Sequence, residues 1–194
     1  RVQAQGRLQA TTAGSLDNSG GTLAAGSLAT SVGGLLDNRG GAIEAQNLKI
    51  VAGSLNNDGS RIIATGNSAS QIQAVGLFSN RAGSIGGNGD TQVQAGELDN
   101  AGGTVQSLAK LTVLADGQVN NANANGQAGK LLAGSGLEVT AAGVDNAGGQ
   151  MATGGTLKTA IVGALDNRGG LVEGERLDVG AGRLDNGAGG KLNS

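Results

Sequence analysis

The sequence predicts an all-β fold, a right-handed parallel β-helix wound from three-strand coils of about 20 residues, and three observations carry that prediction. A short motif, an apolar residue followed by Asp, Asn or Ser and then Asn, recurs nine times along the chain. The chain holds 39 glycines and not one proline. No segment keeps the i, i+3, i+4 spacing of an amphipathic helix for even two turns. The motif reads Leu16-Asp17-Asn18, Leu36-Asp37-Asn38, Leu55-Asn56-Asn57, Phe78-Ser79-Asn80 and Leu98-Asp99-Asn100. It continues as Val119-Asn120-Asn121, Val144-Asp145-Asn146, Leu165-Asp166-Asn167 and Leu184-Asp185-Asn186. Successive final asparagines are 20, 19, 23, 20, 21, 25, 21 and 19 residues apart. The chain is a tandem array of roughly nine coils.

One repeat, Arg39 to Asn57, shows how each element arises. Arg39-Gly40-Gly41 is a turn, because glycine reaches positive φ without a steric penalty. Ile43 and Ala45 then point inward, alternating with outward Ala42 and Glu44. After a break at Gln46-Asn47, Leu48, Ile50 and Ala52 point inward and Lys49 and Val51 outward. Gly53 turns the chain again, and Leu55 and Asn57 close the repeat. These are three period-two segments separated by glycine or amide turns. Such a coil returns to its start, so each strand pairs in parallel with its equivalent about 4.8 Å away, and nine coils make a rod about 43 Å long. Equivalent residues stack into columns. Aliphatic side chains fill the interior, and Asn18, Asn38, Asn57, Asn80, Asn100, Asn121, Asn146, Asn167 and Asn186 are expected to form a buried structural amide ladder. One coil cannot bury enough apolar surface to fold alone, so stability is a nearest-neighbour property.

Composition agrees with an unusual architecture. Leu, Ile, Val and Phe total 43 of 194 residues, and Phe78 is the only aromatic. That content is too low for an ordinary globular core. The net charge is −2 and the charges are scattered, so no basic stripe or stacking platform exists for nucleic acid. The longest apolar runs are a few residues, too short to span a bilayer. There is no cysteine, hence no disulfide.

The pattern departs from regularity in several places. Asn-x-Gly-Gly follows the motif at Asn18, Asn38, Asn100, Asn146 and Asn167, whereas Asn57 is followed by Gly59-Ser60. The turns after Asn80 and Asn186 read as shifted by one residue. Extra residues are expected at 123–127 and near 74–77, as outward bulges on the solenoid. Residues 1–194 read as one β-helical segment, with no capping element apparent at either end, and are expected to belong to a longer filament.

The residue inventory excludes most catalysis. Without His or Cys there is no Ser–His–Asp, Cys–His or imidazole–metal constellation. The aspartates at 17, 37, 99, 145, 166 and 185 share one repeat position and read as an outward, solvated row, its like charges relieved by Asn56, Ser79 and Asn120. Gly86-Gly87-Asn88-Gly89-Asp90 approaches a calcium β-roll motif but is unrepeated, so it reads as a glycine-rich turn. Leucine-rich repeats lack this glycine load, and no Thr-x-Thr face recurs as an ice-binding solenoid requires. No catalytic, cofactor or metal site is expected.

The strings LDNSGGTLAAGSL, LDNRGGAIEAQNLKIVAGSLNN, LDNAGGTV and LDNRGGLVEGERLDVGAGRLDN resemble the haemagglutinin repeats of filamentous haemagglutinin-type exoproteins. The resemblance covers essentially the whole chain and implies a right-handed parallel β-helix. It further implies a large Gram-negative protein exported by two-partner secretion and extended from the outer membrane. Some relatives are adhesins. In others, contact-dependent growth inhibition proteins, the filament carries a receptor-binding region and a C-terminal toxin towards a neighbouring cell. The implied partners are the rest of the exoprotein, the outer-membrane transporter during export, and a receptor on a host or neighbouring cell. Two readings follow: a stalk segment, and a segment that itself binds a receptor or glycan.

Overall fold

The fold follows from a strand-forming pattern interrupted by turns at fixed intervals, and each segment satisfies its backbone by parallel pairing with its equivalents in neighbouring coils. The computed structural model describes residues 1–194. It contains 19 strands in one sheet and no helix, and every strand pairing is parallel. The chain is a right-handed parallel β-helix, the hand that parallel crossover connections take. Closing each coil at its motif asparagine gives nine coils: 1–18, 19–38, 39–57, 58–80, 81–100, 101–121, 122–146, 147–167 and 168–186. Residues 187–194 begin a tenth, with Lys191–Asn193 paired to Leu171–Glu173.

The three segments of a coil are clearest in the sixth, at Thr104–Ser107, Lys110–Ala115 and Gln118–Asn120. In the second and third coils they run together as Thr22–Asp37 and Ala42–Asn56, bent at one-residue bulges. Register stacks like on like: Leu28 pairs with Leu48, Thr30 with Ile50, and Leu36 with Leu55. The interior is a single cluster of 34 buried apolar residues running the length of the rod. Ile43, Ala45, Leu48, Ile50, Ala52 and Leu55 all lie in it, as their alternation requires.

Four details differ from the sequence reading. Ala42, which alternation assigns to the outward side, is buried; it pairs in register with Arg61 of the next coil, whose side chain bonds to Glu44 at 2.7 Å. The long interval before Asn80 is not made mainly at 74–77. Register passes from Ala45↔Ala64 to Lys49↔Gln71, so three extra residues sit in the corner 65–69, and only one is added between Ala74 and Leu77. A corner accepts extra length without disturbing a ladder, which is why the insertion lies there. The turn after Asn80 is not shifted: Ala82 itself occupies the left-handed position, at φ 50°, that Gly20, Gly40 and Gly102 fill elsewhere. The aspartate row, finally, is not simply solvated, as described below.

The insertion of the seventh coil does fall where expected. Ala124 and Gln127 exchange both backbone hydrogen bonds at 2.8 and 2.9 Å, around Asn125 at φ 53° and Gly126 at φ 79°. Two positive φ values in a two-residue loop define a miniature hairpin with a type I′ turn, the conformation an Asn-Gly pair favours.

Candidate functional site

The motif residues converge on the corner where the third segment of each coil ends. All nine asparagines lie there in one column. The Nδ2 of each donates to the Oδ1 of the next: Asn18 to Asn38 at 2.6 Å, Asn38 to Asn57 at 2.7 Å, Asn57 to Asn80 at 2.7 Å and Asn80 to Asn100 at 2.7 Å. The chain of bonds continues from Asn100 to Asn121 at 2.8 Å, to Asn146 at 2.7 Å, to Asn167 at 2.7 Å and to Asn186 at 2.6 Å. The remaining amide hydrogen goes to backbone, as from Asn100 to Lys130 O at 3.1 Å and from Asn121 to Gln150 O at 3.1 Å. Seven of the nine, Asn38 to Asn167, are fully buried. A carboxamide is the side chain that both donates and accepts at one position, which lets a single column satisfy itself. All eight links point the same way, so each polarises the next.

The glycine three residues beyond the asparagine belongs to the same unit, and sequence inspection assigned it only to a turn. Gly41 N donates to Asn38 O at 2.9 Å, which folds the chain tightly around the amide. A Cβ on Gly41 would meet Asn38 Oδ1 at 2.7 Å and collide with Asn18 O. Gly83, Gly103, Gly149 and Gly170 meet the same pair of groups. Ser60 stands at this position in the fourth coil, and its turn is looser. Ser60 N to Asn57 O is 3.2 Å and Arg61 N to Gly41 O is 3.4 Å, against 2.9 Å for both counterparts in the second and third coils.

Next to the asparagines, the aspartate row closes the turn. Asp37 Oδ1 accepts from Arg39 N at 3.1 Å, Asp145 from Ala147 N at 2.9 Å and Asp166 from Arg168 N at 3.0 Å. Asn56 and Asn120 do the same with Asp58 N and Ala122 N. These are Asx turns, which neutral and charged side chains make equally. Ser79 is too short, and Asp58 of the preceding turn supplies the acceptor, taking bonds from Ser79 Oγ at 2.6 Å and Arg81 N at 2.9 Å. Arg39 pairs with Asp37, Arg81 with Asp99 and Arg168 with Asp166. The row is therefore a line of turn acceptors, three of whose carboxylates, Asp37, Asp99 and Asp166, are paired with arginine. Hydrogen bonds from Arg39 and Arg168 hold the Asp37 and Asp166 carboxyls below the usual carboxylate range, and those from Ser19 do so for Asp17. The signal for the pairing was present in the LDNR strings.

No group of three or more Asp and Glu residues is placed to hold a metal ion. A self-satisfied amide column inside a stack of equivalent coils defines the class: a repeat solenoid whose recurring motif serves the stack. The haemagglutinin repeat model matches residues 2–67, 68–123, 117–169 and 159–194, and the chain belongs to this family. No curated protein and no solved structure matches the chain.

Proposed function

We propose that this chain is a stalk segment of a large surface-exposed, filamentous haemagglutinin-type exoprotein, and that its mechanism is reach and stiffness rather than catalysis. One observation carries the reading: the motif asparagines of nine successive coils form one unbroken chain of side-chain hydrogen bonds from coil to coil. A rod built this way resists bending because each coil presents its neighbours with a full set of parallel backbone bonds and one amide link. In this reading its partners are the remainder of its own exoprotein and the outer-membrane transporter through which it leaves the cell. Absence of cysteine supports export as an unfolded chain. The finer role follows the contact-dependent growth inhibition pattern or the adhesin pattern, according to what the filament carries.

The nine asparagines are proposed as the residues on which the stack depends. Small-angle scattering tests the stalk reading: removing two whole coils should shorten the rod by about 10 Å at an unchanged cross-section. A variant that becomes globular, or keeps its length, sinks it.

A further inference from the structure

The chain holds three Asn-Gly pairs, Asn88-Gly89, Asn125-Gly126 and Asn186-Gly187. This dipeptide is the one most open to attack by its own backbone, because glycine has no Cβ to shield its nitrogen from the preceding carboxamide. Ring closure brings the asparagine Cγ onto that nitrogen, so the reaction starts from conformations in which side chain and backbone are both free to turn. The fold treats the three pairs differently.

Asn186 is the last rung of the amide ladder. Its Oδ1 accepts from Asn167 at 2.6 Å and its Nδ2 donates to Gly190 O at 3.0 Å. Gly187 N, the attacking atom, donates to Asp185 Oδ1 at 3.1 Å. Asn88 is exposed, but its Nδ2 donates to Thr65 O at 2.7 Å. Gly89 beside it is buried, and its carbonyl accepts from Ser107 Oγ at 2.8 Å. A Cβ on Gly89 would lie 2.5 Å from Ser68 O, so the backbone there has no room to turn. Both pairs are held by the stack.

Asn125 and Gly126 form the exposed tip of the hairpin at 123–127. The tip bonds only to itself. Ala124 and Gln127 exchange their two backbone bonds, and Gly126 N donates to Asn123 Oδ1 at 3.1 Å. The join to the next coil lies below it, where Asn123 N donates to Ala147 O at 2.9 Å. Opening the tip therefore breaks surface bonds and none between coils.

We propose that Asn125 is a site of spontaneous covalent modification, deamidation with isomerisation to isoaspartate. Gly126 N attacks Asn125 Cγ and the N–Cγ bond forms. The side-chain nitrogen leaves as ammonia, taking up the proton that Gly126 N gives away. Water, the co-reactant, then opens the five-membered imide. Addition at Cγ yields aspartate; addition at the α-carbonyl carbon yields isoaspartate, with the main chain running through Cγ. Either product adds one negative charge to a chain of net charge −2. Asn125 belongs to neither the ladder nor the core, so the change lies outside what holds the coils together. The inference does not rest on the stalk reading.

The three pairs fall on separate tryptic peptides, 82–110, 111–130 and 184–191. The folded chain is aged in mildly alkaline buffer and sampled by peptide mapping, with electron-transfer fragmentation to tell isoaspartate from aspartate. Asn125 should convert about tenfold or more faster than Asn88 and Asn186, because reaction follows the population of the open form. In urea the three rates should converge. Asn125→Gly, which keeps a type I′ loop, should abolish the early acidic species in ion exchange. Conversion of Asn88 or Asn186 as fast as Asn125 in the folded chain overturns the proposal. So does the same tenfold order in urea, or an early acidic species that survives in Asn125→Gly.

Discussion

Asn38 receives one amide bond and gives another, at 2.6 and 2.7 Å, while fully buried. Replacing it with leucine strands the Asn18 donor and the Asn57 acceptor together. Each stranded buried group costs roughly 1–3 kcal/mol, so Asn38→Leu should lose about 3 kcal/mol or more in urea unfolding. Asp37→Ala removes an Asx turn and an arginine partner at the edge of the same corner. It too should lower the midpoint, but by less, whereas relief of a crowded charge row would have raised it. Thr30 tests the opposite sign. Its Oγ1 is buried without a partner in the column of Ile50. Thr30→Val should therefore gain roughly 1 kcal/mol, as an isosteric removal of an unsatisfied hydroxyl. A loss would show that the hydroxyl is satisfied in solution.

At the level of the turn, the left-handed position is the exacting one. Gly40 sits at φ 65° and Ala82 at φ 50° in equivalent places. An L side chain there costs roughly 1–2 kcal/mol, offset in part by glycine's greater freedom in the unfolded chain. Ala82→Gly should stabilise the protein and Gly40→Ala destabilise it, each by about 1 kcal/mol. Changes of the same sign would contradict the assignment. The turn also sets the acid response. Asp37 and Asp166 have folded-state pKa values below their unfolded ones. Their contribution is complete above the unfolded carboxylate pKa, near 3.9, and is lost as pH falls through the lower folded value. Stability should therefore decline below about pH 4. Asp37→Asn with Asp166→Asn, which keep the Asx turn as Asn56 and Asn120 do, should flatten that decline.

Across the whole molecule, stability is a string of coil-to-coil contacts, and the string is uneven. The fourth and fifth coils hold the stretched turn at Ser60, the strained Ala82, the unpartnered Ser70 and Thr91 in place of leucine. Local opening should start there. In native-state hydrogen exchange, the backbone amides of inward-facing residues within 58–92 should exchange faster than those within 130–166. Uniform protection along the rod would refute this. The joint Ala82→Gly and Thr30→Val variant should narrow the contrast only through Ala82, because Thr30 lies outside those coils.

The sequence alone determined the architecture, because a motif repeated near every 20 residues requires a stack, its glycine turns and lack of helical spacing select a β-helix, and period-two alternation fixes which side chains enter it. It also placed the nine asparagines in one register and an insertion at 123–127, which the structure shows to be a hairpin. Only the tertiary structure decided what depends on a neighbouring coil. Ala42 is buried although alternation puts it outward, Asp58 completes the turn of Ser79, and the extra length before Asn80 lies mainly at 65–69 rather than at 74–77. Gly41, Gly83, Gly103, Gly149 and Gly170 looked like turn residues, and their tighter constraint comes from a carbonyl of the preceding coil. The physical reason is the same throughout: alternation is written along the chain, whereas contact across about 4.8 Å between coils joins residues that are far apart in it.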